Sequence, residues 1–195
     1  MNNRYILASA SPRRREILAQ VGISFEVMAG NVEEVITETI PERMVMELAA
    51  LKSNDIRNKL RDNPCGKGYD NIYVIGADTM VFCNNIHMGK PSSYEQAFDM
   101  IRMLQGNTHQ VITGVCVNEL ISGRQVTFAE TTNVNVVPMS DSQIHEYIGV
   151  GESMDKAGAY AVQGYFSRYV KGIEGDYFNV VGFPVCRFFT EISRI

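Results

Sequence analysis

A short apolar run, a tight turn of small residues and a basic helix start follow one another in residues 6–18. This order constrains the fold more than any other stretch of the chain. The apolar run predicts a short buried strand. Ser11 suits the N-cap of a helix, and Pro12 suits the first helical position, where no N–H is needed for the helix. The stretch therefore predicts a strand that passes through a tight turn directly into a helix.

The predicted helix begins with a surplus of positive charge, since Arg13, Arg14 and Arg15 occupy its first turn. The helix dipole is positive there and favours acidic side chains. Arginine cannot lose its charge to relieve this repulsion. Free backbone N–H groups and guanidinium groups both suit phosphate. We therefore predict an anion-binding site at this helix start, with a solvated basic turn as the alternative.

Size and charge indicate an ordinary globular protein with a local positive site. The 195 residues are enough for one substantial core or for two small lobes. The hydrophobic fraction of 45% and the charged fraction of 21% are typical of folded domains. A net charge of −4 and a pI near 5.4 disfavour non-specific binding of nucleic acid. If the ligand is anionic, its positive site must therefore be confined to a small region.

The start of the chain and the cysteines predict a reduced, cytoplasmic protein that does not bind membranes. The first residues run directly into the predicted strand without the apolar core of a signal peptide. No apolar run approaches the length of a membrane span. The cysteines form no C-x-x-C pair, which disfavours a zinc site or a disulfide framework. Cys116 and Cys186 lie in apolar segments and are predicted to be small core residues.

A long helix is predicted from Pro41 to about Leu60, with an apolar stripe at helical spacing. Lys52 lies on that stripe. A lysine in such a position either extends its ammonium to water or meets a buried anionic partner. The pattern leaves both outcomes open.

Residues 72–76 predict a fully apolar central strand, which is followed at once by Asp78. A carboxylate just beyond the carboxyl end of a buried strand is a common position for ligand chemistry in α/β sheets. A capping or turn aspartate is the alternative. The two asparagines at 84–85 predict a hairpin turn shortly afterwards.

Two capping-box patterns predict further helix starts, Ser92 with Glu95 and Ser140 with Gln143. Residues 108–137 predict two long antiparallel strands joined by a turn. The three histidines lack partners at the spacing of metal ligands, so no metal or catalytic role is assigned to them. Residues 62–71 predict an exposed loop.

Residues 151–164 form a second unusual stretch, because polar side chains stand among many small residues. The polar members are Asp155, Lys156, Tyr160 and Gln163. This composition fits a backbone that packs closely against a ligand. A glycine-rich connector is the alternative interpretation.

Seven short motifs together resemble the Maf family of nucleoside triphosphate pyrophosphatases. Each motif is unspecific alone, but their joint order along nearly the whole chain is specific. The motifs occupy residues 7–14, 76–79, 89–91, 108–115, 155–160, 163–164 and 180–184. The resemblance implies a mixed α/β fold, an elongated twisted sheet flanked by helices, with two lobes and a central cleft. It also implies a single domain over residues 1–195 and a homodimer.

The resemblance further implies hydrolysis of a nucleoside triphosphate to the monophosphate and pyrophosphate with a divalent metal, Mg²⁺ or Mn²⁺. Asp78 matches the catalytic proton acceptor of the family. Glu34 and Asp78 would hold the metal, and the sequence leaves open whether Asp78 is base, ligand or both. The positions that match phosphate-binding residues are Ser9, Arg13, Arg14, Lys52 and Lys90.

Three residues match positions that are associated with substrate choice in the family: Arg14, Thr79 and Gln163. They imply that the chain resembles the branch that acts on dTTP and UTP. The sister branch, which acts on 7-methyl-GTP, differs around the motifs of Asp78 and Gln163. This chain departs from the family where Ser153 replaces a usual proline and Ala161 a usual glycine. Its loop at 63–71 is also longer. Two other functions remain open: a nucleotide-binding inhibitor of septum formation, and a purine pyrophosphatase acting on ITP or XTP.

Overall fold

The computed structural model describes residues 2–61 and 68–195, which form two compact units. The first unit is built from the described parts of residues 1–78 together with 113–130 and 182–195. The second unit comprises residues 79–112 and 131–181. Cys65 and most of the predicted loop at 62–71 lie outside the described residues.

Within the described residues, seven strands form one mixed sheet that is accompanied by six α-helices. The strands are β1 (Asn3–Leu7), β2 (Phe25–Val27), β3 (Asn71–Cys83), β4 (Ile86–Met88), β5 (Thr108–Glu119), β6 (Gln125–Val136) and β7 (Val170–Glu174). The helices are α1 (Pro12–Gln20), α2 (Pro41–Arg61), α3 (Tyr94–Leu104), α4 (Asp141–Gly149), α5 (Tyr177–Val181) and α6 (Val185–Ile192). Two 3₁₀ helices span Ala157–Ala159 and Tyr165–Tyr169.

The strand order is β2-β1-β3-β5-β6-β7, and β4 pairs with β3 outside this row. Strand β1 is parallel to both β2 and β3, whereas the pairs β3–β4 and β6–β7 are antiparallel. This arrangement confirms the predicted mixed α/β fold. In the part of the chain that is described, no helix is both long and apolar enough to cross a membrane.

In the first unit, helix α2 packs so closely against the sheet that side chains would not fit between the backbones at two positions. Glycines occupy both positions. A Cβ atom on Gly76 would lie 2.2 Å from the carbonyl oxygen of Ala49 and 2.7 Å from the amide nitrogen of Ser53. A Cβ atom on Gly114 would lie 2.3 Å from the carbonyl oxygen of Val45. Both glycines are therefore required by the close approach of α2 to β3 and β5.

In the second unit, helices α3 and α4 bury their apolar faces in one core. Ile101 from α3 and Ile144 and Tyr147 from α4 are fully buried there. Phe166, from the 3₁₀ helix Tyr165–Tyr169, is buried in the same cluster and packs its ring against Tyr147. The irregular segment before β7 is thus fixed by aromatic side chains rather than by long regular elements.

Several sequence predictions are confirmed. The long helix from Pro41 forms as α2 and extends one residue beyond the predicted end. The capping box of Ser140 and Gln143 has both of its hydrogen bonds. Asn84 and Asn85 adopt positive φ angles in the turn between β3 and β4, as the hairpin prediction requires.

Three local predictions are wrong. The strand predicted to end at residue 76 continues to Cys83, because β4 replaces β1 as its partner, so Asp78 lies within β3. Helix α3 is capped by Ser93 rather than Ser92, since the hydroxyl of Ser93 accepts the N–H of Gln96. Cys186 is exposed, because α6 turns its other face to the core.

Candidate active site

The turn after β1 leads into α1 without a side-chain cap. Ser11 occupies the N-cap position as predicted, but its hydroxyl makes no capping hydrogen bond. Its backbone N–H instead donates to the hydroxyl of Ser9 at 3.3 Å. The first turn of α1 also contains no acidic residue. The positive end of this helix is therefore not neutralised by its own first residues.

Arg14 is buried, although it carries an obligatory charge, with only 8% of its surface exposed. Its Nε donates to the carbonyl oxygen of Gly182 at 3.0 Å, and its Nη1 donates to the hydroxyl of Ser9 at 3.0 Å. These bonds hold the guanidinium beside the start of α1. Arg13 is half-buried, and Arg15 is exposed, as expected for a solvated side chain.

Three neighbouring charges affect the pKa of this guanidinium. Burial lowers the pKa of Arg14, and the neighbouring charge of Arg13 acts in the same direction. The carboxylates of Asp78 and Glu34 raise this pKa and so oppose both effects. An anion that docks beside Arg13 and Arg14 would stabilise their charged forms in the same way.

Lys52 meets anionic partners of the protein itself, which resolves the two outcomes that its position on the apolar stripe left open. Its Nζ lies 2.6 Å from Oδ1 of Asp78 and 3.0 Å from Oε1 of Glu34. The side chains of Lys52 and Asp78 are only 18% and 15% exposed, whereas that of Glu34 is 51% exposed. The ammonium thus forms one salt bridge with the largely buried carboxylate of Asp78 and one with the more exposed carboxylate of Glu34.

The close approach of α2 to β3 explains why Lys52 reaches Asp78. Gly76 lies two residues before Asp78 on β3, and it contacts the backbone of Ser53, the residue after Lys52. The hydroxyl of Ser53 also donates to the carbonyl oxygen of Val74 at 2.9 Å. Two successive contacts between α2 and β3 therefore lie directly beside the ion pair and fix its geometry.

The donor set of this cluster is suited to a hard divalent cation. Among residues 2–61 and 68–195, no three side chains of His, Cys, Asp or Glu come together at metal-binding distance. The carboxylates of Glu34 and Asp78, however, converge on one positive charge, the Lys52 ammonium. Mg²⁺ is usually held by one or two carboxylates, and the remaining ligands are substrate phosphates and water. The two predicted ligands fit that pattern.

The other predicted site residues, Thr79, Lys90 and Gln163, belong to the second unit. Thr79 is half-buried, and Lys90 and Gln163 are exposed. Within this unit, the N–H of Gly158 donates to the carbonyl oxygen of Gly89 at 3.0 Å. The structure therefore brings the predicted motif at 155–160 against the motif that carries Lys90.

His109, to which the sequence assigned no role, supports the same segment. Its Nε2 lies 2.7 Å from the hydroxyl of Tyr160, and the two rings meet edge to face. Burial lowers the pKa of His109 to about 4, so the ring is neutral at physiological pH. His109 is a structural partner of Tyr160.

Sequence reasoning missed two contacts that organise these segments. The carbonyl oxygen of Gly182 holds Arg14 across 168 positions, and neither residue carries a local signal for that contact. The carboxylate of Glu152 accepts the backbone N–H of Tyr165 at 2.8 Å. Glycine at position 164 was a usable signal for the second contact, because it allows a side chain to lie against the backbone.

Comparison with known proteins gives matches along nearly the entire chain. A family model described as Maf-like protein matches residues 4–195. A dTTP/UTP pyrophosphatase of Lachnoclostridium phytofermentans is 45% identical over 192 residues, which cover 97% of this chain and 93% of that protein. A dTTP/UTP pyrophosphatase of Alkaliphilus oremlandii is 47% identical over 182 residues, covering 92% and 90%. One of Thermoanaerobacter sp. strain X514 is 42% identical over 189 residues, covering 97% and 95%.

Proposed function

Since this chain belongs to the Maf family, we propose that it is a nucleoside triphosphate pyrophosphatase that hydrolyses dTTP and UTP. The products are the nucleoside monophosphate and pyrophosphate. Relatives with 42–47% identity over almost the full length carry the name dTTP/UTP pyrophosphatase, which supports this substrate class.

The observation that carries the proposal is the contact of Lys52 with both Asp78 and Glu34, beside the buried charge of Arg14. A triphosphate needs positive charge at its phosphates, and hydrolysis needs an acceptor for the proton of water. The first unit holds both kinds of group on regular elements. Such fixed charges stabilise a developing anion without reorganisation.

In the proposed reaction, the oxygen of a water molecule attacks the α-phosphorus and forms a new P–O bond. The bond between the α-phosphorus and the oxygen that bridges to the β-phosphorus breaks, and pyrophosphate leaves with that oxygen. The carboxylate of Asp78 accepts a proton from the attacking water. Lys52 donates a hydrogen bond to Oδ1 of Asp78, so Oδ2 is the oxygen that we assign to the water.

The remaining residues bind and orient the nucleotide. The phosphates bind at the start of α1 to Ser9, Arg13 and Arg14, because free N–H groups and guanidinium donors suit these anions. Glu34 and Asp78 would hold Mg²⁺ or Mn²⁺. When bound, the metal neutralises phosphate charge and acidifies water.

In the second unit, the family resemblance assigns Lys90 to the phosphates and Thr79 and Gln163 to the base. An amide such as that of Gln163 offers both a donor and an acceptor, as the edge of a pyrimidine requires. Arg14 shares the role in substrate choice.

The proposal is tested by a nucleotide panel with the Asp78→Asn variant. Wild type, supplied with Mg²⁺ or Mn²⁺, should release pyrophosphate and monophosphate from dTTP and UTP. Asp78→Asn keeps the size and the oxygen that faces Lys52 but loses the proton acceptor, so kcat should fall by roughly 10²–10⁴-fold. Asp99→Asn makes the same change on the exposed surface of α3 and should leave kcat unchanged.

The products and the substrate ranking distinguish the alternatives. Orthophosphate without pyrophosphate would contradict attack at the α-phosphorus. Preference for ITP or XTP would contradict the pyrimidine assignment. Binding of nucleotides without any hydrolysis would favour a nucleotide-dependent binding protein, and full activity of Asp78→Asn would remove Asp78 from catalysis.

A further inference from the structure

The carboxylate of Glu152 packs against the backbone of the residues that follow Gln163. Its Oε2 accepts the N–H of Tyr165 at 2.8 Å. A Cβ atom on Gly164 would lie 2.1 Å from the same oxygen and 2.7 Å from the carboxyl carbon. Only a glycine at this position leaves the carboxylate room to reach the N–H of Tyr165.

The turn around Gln163 is fixed on both sides by further hydrogen bonds. The N–H of Gly164 donates to the carbonyl oxygen of Ala161 at 3.3 Å, and the N–H of Ser167 donates to the carbonyl oxygen of Gly164 at 3.0 Å. Upstream, the hydroxyl of Tyr147 donates to the carbonyl oxygen of Ala159 at 3.0 Å. Gln163 itself is exposed, so its side chain is placed by the backbone that carries it.

We infer that Glu152 is a positioning residue that fixes the backbone at Gly164 and thereby aims Gln163 at the base of the substrate. The inference rests on the proposed function, in which Gln163 contacts the pyrimidine. Glu152 does not touch the nucleotide in this scheme. It acts on substrate choice through one backbone hydrogen bond.

The space around Gly164 gives the inference a specific test. Gly164 has φ −98°, a conformation that alanine also adopts, so Gly164→Ala introduces no backbone strain. The new methyl group must displace the carboxylate of Glu152 and break its hydrogen bond to Tyr165. In the double variant Glu152→Ala/Gly164→Ala, the carboxylate is absent and the methyl group has room.

We expect Glu152→Ala and Gly164→Ala to change the same quantity. The ratio of kcat/KM for dTTP to kcat/KM for dCTP should fall by about tenfold or more, mainly through a higher KM for dTTP. Gln163→Glu is the reference for a direct change in substrate choice and should alter the same ratio. The double variant should be no worse than Glu152→Ala alone, which gives strong coupling in the mutant cycle.

Glu146→Gln is the matched control. The carboxylate of Glu146 also binds Tyr165, but at the side-chain hydroxyl rather than at the backbone N–H. This variant should keep the wild-type ratio. A melting temperature is measured for each variant, and Gly164→Ala tests the inference even if Glu152→Ala fails to fold.

The outcomes separate this inference from the proposed function. If wild type does not hydrolyse dTTP or UTP, the proposed function is wrong, and the role of Glu152 in it is overturned as well. If wild type is active but both single variants keep its substrate ranking, only the role of Glu152 is wrong. Additive losses in the double variant would likewise overturn the inference, because the two changes would then act independently.

Discussion

The two units carry their predicted site residues in different ways. In the first unit, charged side chains stand on a long strand and a long helix, where Lys52 on α2 meets Asp78 on β3. In the second unit, Gln163 and Lys90 stand on irregular segments that are held by backbone hydrogen bonds, such as that between Gly158 and Gly89. The first arrangement fixes charges, and the second fixes the path of a loop.

Under the proposed function, this difference assigns one task to Lys52 and Asp78 in the first unit and another to Gln163 in the second. Hydrolysis of an anhydride depends on charges that do not move, and regular elements with backbone contact supply them. Recognition of a base depends on the shape of a short segment, which a few substitutions can alter. Changes at Lys52 and Asp78 should therefore affect turnover of every substrate, whereas changes around Gln163 should affect the ranking of substrates.

After Asp78→Asn, the largest effect is expected from Lys52→Met. This change removes the charge between Asp78 and Glu34 and leaves the two carboxylates facing each other. Because Lys52 also matches a phosphate-binding position of the family, kcat/KM should fall by roughly 10²–10³-fold for dTTP, UTP and dCTP alike. Steady-state kinetics with the three nucleotides measure this.

Lys59→Met is the control for this change, because Lys59 pairs with Asp55 on the exposed side of the same helix. An exposed pair of this kind contributes well under about 1 kcal/mol, so activity should be unchanged. A selective loss with one nucleotide in Lys52→Met would contradict the division of tasks between Lys52 and Gln163.

Gly76→Ala should give the next largest effect. The added methyl group would meet the carbonyl oxygen of Ala49 and the amide of Ser53, and neither can move without a shift of α2. The free energy of unfolding should fall by roughly 1–3 kcal/mol. The shift should also lengthen the contact of Lys52 with Asp78 and lower kcat for every substrate.

Urea denaturation and kinetics on the same preparations measure both effects. Gly172→Ala, in β7, is the matched control, since a Cβ atom there meets no atom within 4 Å. Wild-type kcat in a destabilised Gly76→Ala would show that the helix contact serves stability alone.

Sequence patterns predicted the regular part of the fold well, for physical reasons that are visible in particular elements. Helix α2 was predicted because its apolar residues recur at helical spacing, and the turn at 84–85 because asparagine tolerates positive φ. The predicted end of β3 at residue 76 is wrong because the apolar run is followed by Asp78, although the small residues at 76–77 do not end the strand. They allow α2 to approach, and the strand continues with a new partner.

How much of the candidate site could be predicted depended on how far apart in sequence the contacting residues lie. The charges of Arg14, Lys52 and Asp78 are visible in the sequence, so their motifs were recognised. Their partners were not: Lys52 is held by the protein's own carboxylates, and Arg14 by the backbone carbonyl of Gly182, whose φ of 130° favours glycine but does not indicate the contact. The contact between the Arg14 side chain and the backbone at position 182 has no local sequence pattern that predicts it.

The smallest expected effect is a decrease in the free energy of unfolding in acid, caused by His109 in the second unit. His109 is buried and neutral, with its pKa lowered to about 4, whereas the unfolded chain titrates near 6.5. Between these values the unfolded chain binds the extra proton. The stabilisation from burying the neutral ring is therefore fully present above pH 6.5 and decreases as the pH falls towards 4. For wild type, this histidine should lower the free energy of unfolding by about 1 kcal/mol between pH 7.5 and pH 5.5.

His109→Gln should reduce this loss, because glutamine does not titrate. His145→Gln, which changes an exposed ring on α4, should keep it. Urea denaturation at several pH values measures the loss for each variant. Equal losses in wild type and His109→Gln would show that the buried pair with Tyr160 does not contribute to the pH dependence. A reduced loss in His109→Gln alone would show that the buried ring that contacts Tyr160 accounts for this part of the acid sensitivity.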